Sequence, residues 1–174
     1  MEEGMFVRFY PTKWVQSVYD IDFKKLYKKG YRGILSDIDN TLVEHDASAS
    51  DEIILFLKEL KEIGYEICLI SNNDEERVTR FNETLNLYMI FNAKKPLKKG
   101  YLKAMELMGT NKSNTIFIGD QIFTDIYGAN RTGIKSILVD PISPKEEIQI
   151  ILKRYLEKIV LYFYKKGSRK QKKR

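Results

Sequence analysis

Short apolar runs alternate with amphipathic stretches from residue 31 onward. The runs predict strands at 31–37, 65–71, 88–91, 115–119 and 134–139. Apolar residues spaced three and four apart predict helices at 48–63, 74–85, 97–108 and 122–131, with a last helix from about 145 to 165. Strands that alternate with helices indicate an α/β fold, here a five-stranded parallel sheet with helices on both faces.

The two ends of the chain depart from this alternation. Residues 1–30 predict an amphipathic, aromatic-rich extension that packs on the core, and a contact of Trp14 with a bilayer interface is the alternative. Residues 31–165 are expected to form the main domain, followed by a basic and disordered tail at 166–174. The last helix carries one apolar stripe that is expected to pack on the sheet: Ile148, Ile151, Leu152, Tyr155, Leu156 and Ile159.

The basic charge is concentrated at the C-terminal end. The net charge is +6, but the residues after Leu152 contribute +9 and residues 1–152 contribute −3. Such an end predicts either an anionic partner or a solvated segment. Cys68 lies in an apolar run and is expected to be a buried thiol rather than part of a disulfide. We find no signal peptide pattern and no run long enough to span a membrane, so a cytoplasmic location is expected.

Polar residues whose side chains could take part in catalysis or binding follow four of the predicted strands. In a parallel sheet, ligands bind beyond the carboxyl ends of the strands, so these residues are expected to meet at one edge. In chain order they are Asp37 and Asp39, Ser71-Asn72-Asn73, Lys94-Lys95-Pro96, and Asp120 with Asp125. A shared edge lined by carboxylates, a hydroxyl, amides and a lysine predicts a functional site.

This set of side chains suits the hydrolysis of a phosphate ester. Mg²⁺ takes hard oxygen ligands, and Asp37, Asp120 and Asp125 are candidates to hold it. An aspartate beside the cation can act as nucleophile and form an aspartyl-phosphate. Asp39 is placed to protonate the leaving alkoxide and then to take a proton from water. Lys95 would neutralise the charge shared by the phosphate and the attacking carboxylate.

Several neighbouring residues complete the predicted site. Ser71, with Asn72 and the backbone N–H groups of the next helix, is a candidate to bind phosphate oxygens. Thr41 is expected to hold the loop that carries Asp39, with a phosphate contact as a second role. Lys94 is expected to be an exposed neighbour of the functional lysine. His45 is expected to be a solvated loop residue, with a substrate contact as the alternative.

The motifs resemble those of the haloacid dehalogenase (HAD) superfamily of phosphatases, which implies a Rossmann-like core. The matching residues are Asp37-Ile38-Asp39-Asn40-Thr41, Ser71, Lys95-Pro96 and Gly119-Asp120-Gln121-Ile122-Phe123-Thr124-Asp125. The resemblance covers roughly residues 31–140. It implies that Asp37 is the nucleophile and that Mg²⁺ is held by Asp37, the backbone carbonyl of Asp39 and Asp120, with Asp125 as a ligand or its neighbour.

The motifs are also similar to a narrower group, the YqeG-type proteins of HAD subfamily IIIA. That group is related to the mitochondrial phosphatidylglycerophosphate phosphatases. The segment from Tyr10-Pro11 to Asp20-Ile21 shares the similarity. One departure is His45, which stands where the group is expected to have a tryptophan, so the rim of the site is expected to differ.

The spacing of the motifs leaves no room for a cap domain. About 30 residues separate Asp39 from Ser71 and about 23 separate Ser71 from Lys95, and the predicted helices use much of both segments. An uncapped site suits a bulky substrate, such as a lipid headgroup at a bilayer, a protein or a polynucleotide end. Beyond the stripe of the last helix, Val160–Tyr164 is apolar nearly all round and precedes Lys165-Lys166, a pattern typical of an interfacial helix.

The sequence therefore predicts a Mg²⁺-dependent phosphomonoesterase, with phosphatidylglycerophosphate as the substrate favoured by the resemblance. An anionic membrane surface is the expected partner of the last helix and basic tail, ahead of nucleic acid. One alternative is a protein or polynucleotide-end phosphatase. Another is an RNA- or ribosome-associated binding protein that uses the basic tail. The pattern does not predict an oligomeric state.

Overall fold

One parallel sheet forms the centre of the molecule. We describe a computed structural model that covers residues 6–143 and 148–171, with only the helical backbone for 148–152 and 168–171. Within those residues the strands are β1 (Lys13–Val15), β2 (Gly33–Ser36), β3 (Glu66–Ile70), β4 (Tyr88–Ile90), β5 (Thr115–Gly119) and β6 (Lys135–Val139). Their order across the sheet is β1-β6-β5-β2-β3-β4, and all neighbouring pairs are parallel.

The helices alternate with these strands. They are α1 (Phe23–Lys28), α2 (Asp51–Ile63), α3 (Glu75–Asn82), α4 (Lys98–Met108), α5 (Tyr127–Thr132) and α6 (Ile148–Gln171). A π-helical turn, Ile122–Ile126, precedes α5 within the predicted helix 122–131. Helix α2 begins where Ser50 Oγ accepts a hydrogen bond from Ile53 N at 3.3 Å and ends at Gly64, whose φ of 110° suits glycine.

Both faces of the sheet are apolar and covered. Alternate residues of β2 point to opposite sides, so Ile34 packs with α2 and α3, whereas Leu35 packs with α4 and α5. This two-sided burial explains why the strands read as continuous apolar runs. The predicted α/β fold with helices on both faces is confirmed. Cys68 lies in β3 as a buried free thiol, as predicted, and burial raises its pKa to about 12.

The sheet has six strands rather than the predicted five. The extra strand is β1, which pairs with β6 so that Trp14 lies opposite Leu138. Three residues are too few for a clear period-two pattern, so the sequence does not reveal this strand. Trp14 Nε1 also donates to Asp140 Oδ1 at 2.7 Å, and its ring packs near Tyr164. The N-terminal segment thus packs on the protein, which is the first of its two expected roles.

Helix α6 packs differently from the prediction. Tyr155, Leu156 and Ile159 of the predicted packing stripe are 64%, 58% and 50% exposed, whereas Glu157 and Val160 are buried. The stripe prediction is therefore wrong for these three residues. The face of α6 that packs on the protein instead carries Val160, in an apolar cluster with Ile122 and Leu138, and Glu157, which accepts a hydrogen bond from Ile122 N. The side chains of Ile148, Ile151 and Leu152 lie outside the described part of the structure.

Helix α6 ends later in the chain than predicted. The backbone of α6 is helical to Gln171, six residues into the segment 166–174 that was expected to be disordered. Four of these six residues, Lys166, Arg169, Lys170 and Gln171, are good helix formers, whereas Gly167 and Ser168 are not. The predicted helix start near 145, residues 172–174 and residues 1–5 lie outside the described residues. Among the helices described, none combines the length and apolar character needed to cross a membrane.

Candidate active site

The candidate site lies where β2, β3 and β5 end at the same edge of the sheet. Ser36 of β2 pairs in register with Leu69 of β3 and with Ile118 of β5. Asp37 and Asp120 follow the ends of adjacent strands. Between β2 and β5 the strand order reverses, since the chain runs from β2 to β3 on one side and later returns to β5 on the other. The site therefore occupies the topological switch point of the sheet.

Asp37 is a buried carboxylate in contact with Lys95. Its backbone N–H donates to the carbonyl of Ile118 at 3.0 Å, which fixes the start of the loop after β2. Lys95 Nζ donates to Asp37 Oδ1 at 2.6 Å. Burial is the main cause that raises the pKa of Asp37 to about 6, with Lys95 opposing the rise and the charges of Asp125 and Asp39 adding to it.

Three buried carboxylates form a candidate metal centre, which we call the acidic triad: Asp37, Asp120 and Asp125. Each contributes a carboxylate oxygen to a group whose members all lie within 4.8 Å of one another. Burial, followed by repulsion from the other two carboxylates, raises the pKa of Asp120 well above its ordinary value. Such crowding is costly without a cation, and three hard oxygen donors are the ligand type that divalent cations such as Mg²⁺ take. The residues present therefore fit a divalent metal.

Hydrogen bonds hold the two carboxylates that follow β5. Thr41 Oγ1 donates to Asp120 Oδ1 at 3.0 Å, and Asp125 Oδ2 accepts from the backbone N–H of Gln121 at 3.1 Å. The π-helical turn brings Asp125 back over Gly119. A Cβ at Gly119 would lie 2.6 Å from Asp125 Oδ2, so this approach requires glycine.

Lys95 bridges two members of the acidic triad. Its Nζ lies 2.6 Å from Asp37 Oδ1 and 2.8 Å from Asp125 Oδ1, and the side chain is buried. Burial by itself would lower the pKa of Lys95, but the charges of Asp125 and Asp37 outweigh it and raise that pKa. Lys94 is exposed, as expected. The structure thus places Lys95, and not its neighbour, beside the predicted nucleophile.

Asp39 is anchored by three donors that the sequence analysis did not identify as its partners. Arg77 Nη2 and the backbone N–H of Asp46 donate to Oδ1 at 2.9 and 2.7 Å, and Asn73 Nδ2 donates to Oδ2 at 2.5 Å. Arg77 is buried on α3 in spite of its charge. The sequence carried a weak signal for it, since Arg77 shares a helix face with the buried Phe81, four residues on.

The predicted phosphate-binding residues differ in what they contact. Ser71 is buried beside the site, and its Oγ accepts from Asn73 N at 3.1 Å. The amide of Asn72 binds the backbone of Lys95, with Oδ1 accepting from Lys95 N at 2.7 Å and Nδ2 donating to its carbonyl at 3.3 Å. Thr41 is buried against Asp120 and Asp37. Asn72 and Thr41 therefore support the charged residues directly, and their predicted phosphate contacts remain predictions.

A pocket of about 210 Å³ opens beside these residues. Its lining includes most of the predicted site together with residues on the rim: Asp37, Asp39, His45, Ser71, Asn72, Asn73, Lys95, Gln121, Thr124 and Lys153. His45 is exposed at this rim. Only α2 separates β2 from β3, and only α3 separates β3 from β4, so no cap domain is inserted at either place.

Helix α6 contributes residues to the site that the sequence analysis missed: Lys153 at the pocket rim, and Arg154 and Glu157 beside Asp120. Arg154 donates from Nη1 to the backbone carbonyl of Asp120 at 2.6 Å, and its Nη2 forms an ion pair with Asp120 Oδ2. Arg154 Nη1 also lies 3.0 Å from Glu157 Oε2, while Glu157 Oε1 accepts from Ile122 N at 2.7 Å. Nothing in the helical pattern distinguishes Arg154 and Glu157 from solvated charges, because their partners lie 34 and 35 residues away in the chain.

The fold and the site together define a hydrolase with an aspartate-rich centre at a switch point of a parallel sheet. The family model for haloacid dehalogenase-like hydrolases matches residues 3–139, and the chain belongs to this family. The predicted HAD phosphatase class is thereby confirmed.

Two curated proteins refine the comparison. The chain is 36% identical over 154 residues to "Probable phosphatase YqeG" of Bacillus subtilis (strain 168), covering 88% of this chain and 90% of that protein. It is 28% identical over 172 residues to the chloroplastic/mitochondrial phosphatidylglycerophosphate phosphatase 1 of Arabidopsis thaliana, covering 92% of this chain and 48% of that protein. The predicted similarity to the YqeG-type group is confirmed.

Solved structures support the fold. The cobalt-bound deoxy-D-mannose-octulosonate 8-phosphate phosphatase of Haemophilus influenzae superposes with a TM-score of 0.51 at 18% identity, covering 83% of this chain and 94% of that one. A hypothetical protein from Xanthomonas campestris superposes with a TM-score of 0.54 at 17% identity, covering 75% and 76%. At these identities the likeness concerns the Rossmann-like HAD fold alone.

Proposed function

We propose that this protein is a Mg²⁺-dependent phosphomonoesterase that uses Asp37 as nucleophile and acts on phosphatidylglycerophosphate. The observation that carries the reaction type is the position of Asp37, whose carboxylate contacts Lys95, belongs to the acidic triad and lines the open pocket. Asp37, Asp120 and Asp125 would hold the cation, together with the backbone carbonyl of Asp39. When bound, Mg²⁺ offsets the negative charge that the carboxylates and a phosphate would otherwise bring together.

The first half of the reaction transfers the phosphoryl group to the protein. The Asp37 carboxylate attacks phosphorus, the bond from phosphorus to the ester oxygen breaks, and the leaving alkoxide takes a proton from the Asp39 carboxyl group. Lys95 stabilises the charge that develops between the carboxylate and the phosphoryl oxygens. Arg77 and Asn73 hold the Asp39 side chain in one orientation, which a proton donor needs.

The second half releases phosphate. A water molecule gives its proton to the Asp39 carboxylate as its oxygen attacks the phosphorus of the aspartyl-phosphate. The bond from phosphorus to Asp37 then breaks, which restores the free carboxylate. We propose that Ser71 and the backbone N–H groups before α3 hold the phosphoryl oxygens through both steps, since Ser71, Asn72 and Asn73 line the pocket. Atoms and protons balance over the two steps, with one water consumed for each ester cleaved.

The lipid substrate is supported by two observations. The Arabidopsis relative is named for phosphatidylglycerophosphate, and the pocket has no cap to exclude a headgroup that is still attached to a bilayer. The test is phosphate release from phosphatidylglycerophosphate in mixed micelles, from a phosphoprotein and from a 3′-phosphorylated oligonucleotide, for the wild type and Asp37→Asn. We expect lipid turnover that Asp37→Asn abolishes. Turnover of a soluble ester without turnover of the lipid would contradict the proposed lipid substrate but not the proposed mechanism.

An anionic membrane surface, on the cytoplasmic side, is the partner that we propose for helix α6. Its exposed apolar face, the outer stripe, consists of Tyr155, Leu156, Ile159 and Tyr162, which are 50–64% exposed. Exposed lysines flank this face, among them Lys158, whose Nζ lies 4.9 Å from the Tyr155 ring centroid. Aromatic residues beside lysines suit the boundary between headgroups and acyl chains, where each engaged cation contributes about 1 kcal/mol.

Flotation with lipid vesicles tests this partner. The wild type is expected to bind vesicles that contain phosphatidylglycerol more tightly than vesicles of phosphatidylcholine, and added salt should weaken the binding. Leu156→Ser with Ile159→Ser should reduce binding about tenfold or more, since two apolar side chains lose their burial in the bilayer. Leu55→Ser is the matched control, because Leu55 is 60% exposed on α2. Equal binding by the double variant, or binding to RNA instead of vesicles, would contradict the proposal.

A further inference from the structure

Helix α6 contacts Asp120, one member of the acidic triad. Its Oδ1 accepts a hydrogen bond from Thr41 Oγ1 at 3.0 Å, and its Oδ2 carries the ion pair with Arg154. Arg154 is mostly buried at this contact, with 17% of its side chain exposed. A guanidinium group keeps its charge and donates only, so Arg154 behaves at this carboxylate as a permanent cation.

A divalent cation and Arg154 would both bind the carboxylate of Asp120. A cation bound by Asp120 would lie within a few ångströms of the guanidinium group, and two positive charges at that distance repel each other strongly where water is excluded. The hydroxyl of Thr41 raises no such conflict, because it is neutral and can rotate. Lys95 contacts the other two members of the triad, Asp37 and Asp125.

Glu157 offers Arg154 a second partner on the same helix. The Glu157 carboxylate lies 3.0 Å from Arg154 Nη1 and is itself held by the backbone N–H of Ile122 at 2.7 Å. Arg154 can therefore loosen its contact with the Asp120 side chain without becoming a buried charge that lacks a partner. Arg154 and Glu157 thus join α6 to the loop after β5 through three contacts. The ion pair of Arg154 with Asp120 Oδ2 occupies an oxygen that a cation would need, whereas the contacts with the Asp120 carbonyl and with Ile122 N do not.

We propose that Arg154 is a resident competitor of the divalent cation at Asp120, so that cation binding and the contact of α6 with Asp120 weaken each other. The inference rests on the proposed cation site. The two equilibria are linked. If a bound cation weakens the contact of Arg154 with Asp120 by some factor, then loss of that contact strengthens cation binding by the same factor. Because α6 also carries the outer stripe, the cation affinity of the site depends on how this helix is docked.

Calorimetric titration of the full chain with Mg²⁺ tests the proposal without use of activity. Arg154→Gln keeps a hydrogen-bond donor and removes the charge, so its dissociation constant for Mg²⁺ should fall about tenfold, within the roughly 5- to 150-fold range of such couplings. Arg154→Lys keeps the charge and loses the two-pronged contact, so its dissociation constant should lie between those of the wild type and Arg154→Gln. Lys166→Gln removes the same charge from an exposed position of α6 outside the pocket lining and should change the constant by less than about twofold.

Hydrogen exchange of the wild type provides a second measurement that needs no variant. Saturating Mg²⁺ should speed exchange in the part of α6 around Arg154 and slow it in the loop that carries Asp120. Unchanged or weaker Mg²⁺ binding by Arg154→Gln, or slower exchange of α6 with Mg²⁺, would overturn the proposal and identify Arg154 as a residue that positions Asp120. Absence of Mg²⁺ binding by the wild type would overturn both this inference and the proposed cation site.

Discussion

Lys95 Nζ lies 2.6 Å from Asp37 Oδ1, and both side chains are more than nine-tenths buried. The contact joins the loop after β2 to the segment after β4, and the same ammonium group lies 2.8 Å from Asp125 Oδ1. A buried cation between two buried carboxylates keeps them close together. It also leaves Lys95 beside the oxygen atoms that would share a phosphoryl group.

Replacement of Lys95 by Met should lower kcat/KM for a phosphate ester about 10²- to 10³-fold, the loss typical of removing one group that stabilises transition-state charge. The measurement is steady-state phosphate release across pH 5–9. Lys94→Gln is the matched control, since Lys94 is exposed, and it should behave as the wild type. Equal losses in the two variants would contradict the role of Lys95.

Asp37 should destabilise the cation-free protein at neutral pH. Its pKa is about 6 against an ordinary 3.8, so the fold favours the protonated carboxyl. The stabilisation is fully present below about pH 3.8 and is lost as the pH rises through 6. Asp37→Asn should therefore be more stable than the wild type at pH 7.5 in EDTA by about 1–3 kcal/mol. The gain is expected to be smaller than the free energy of the whole pKa shift, because Lys95 loses a charged partner.

Urea unfolding in EDTA at pH 4.5 and 7.5 checks this expectation. The difference between Asp37→Asn and the wild type should be larger at pH 7.5. Glu62→Gln, a change of the same kind on an exposed side chain, should show no such dependence. A stability difference that shrinks as the pH rises would contradict the predicted sign. Mg²⁺ should stabilise the wild type, by about 2.7 kcal/mol at a hundred times the dissociation constant, and should stabilise the variant less.

Gly119→Ala should disturb the site, because the added methyl group would clash with Asp125. The added Cβ would lie 2.6 Å from Asp125 Oδ2 and 2.7 Å from Asp125 Cβ, so Asp125 has to move. We expect a loss of about 1–3 kcal/mol in stability and weaker Mg²⁺ binding by calorimetry. Gly167→Ala is the control, because Gly167 lies in α6 with no atom within 4 Å of an added Cβ. That variant should be neutral or up to about 1 kcal/mol more stable.

Asp39→Asn should separate substrates by their leaving groups. A proton donor matters most for an alkoxide and least for a leaving group that departs readily as an anion. The variant should therefore lose about 10²- to 10⁴-fold in kcat with an alkyl phosphate and much less with p-nitrophenyl phosphate. Parallel measurement of kcat with both esters gives the ratio. An equal loss for both substrates would show that Asp39 does not act by donating a proton.

Arg77→Met offers a complementary test of the same proton donor. The change removes the contact of Arg77 with Asp39 Oδ1 and leaves the bond from Asn73 in place. Because Asp39 would keep its carboxyl group and lose part of its orientation, activity with the alkyl phosphate should fall less than in Asp39→Asn. A loss as large as that of Asp39→Asn, in a folded variant, would mean that the orientation of Asp39 depends entirely on Arg77.

The sequence by itself determined the sheet and the residues at its carboxyl edge. Alternating apolar strands and amphipathic helices require parallel strands, and parallel strands bring all their carboxyl ends to one edge. For this reason Asp37, Ser71, Lys95 and Asp120 were predicted together from positions far apart in the chain. These residues share one edge because the strands are parallel, and the pattern of apolar residues along the chain is enough to predict parallel strands.

Only the tertiary structure decided which charged side chains outside the motifs reach that edge. Arg77, Arg154 and Glu157 look like ordinary surface charges in a helical pattern, yet each is drawn to a partner 34–38 residues away. In α6 the contacts of Arg154 and Glu157 lie on the inner face of the helix, and Tyr155 and Leu156 are exposed, against the prediction. A buried ion pair depends on the distance and orientation of two packed elements, and periodicity within one element contains neither quantity.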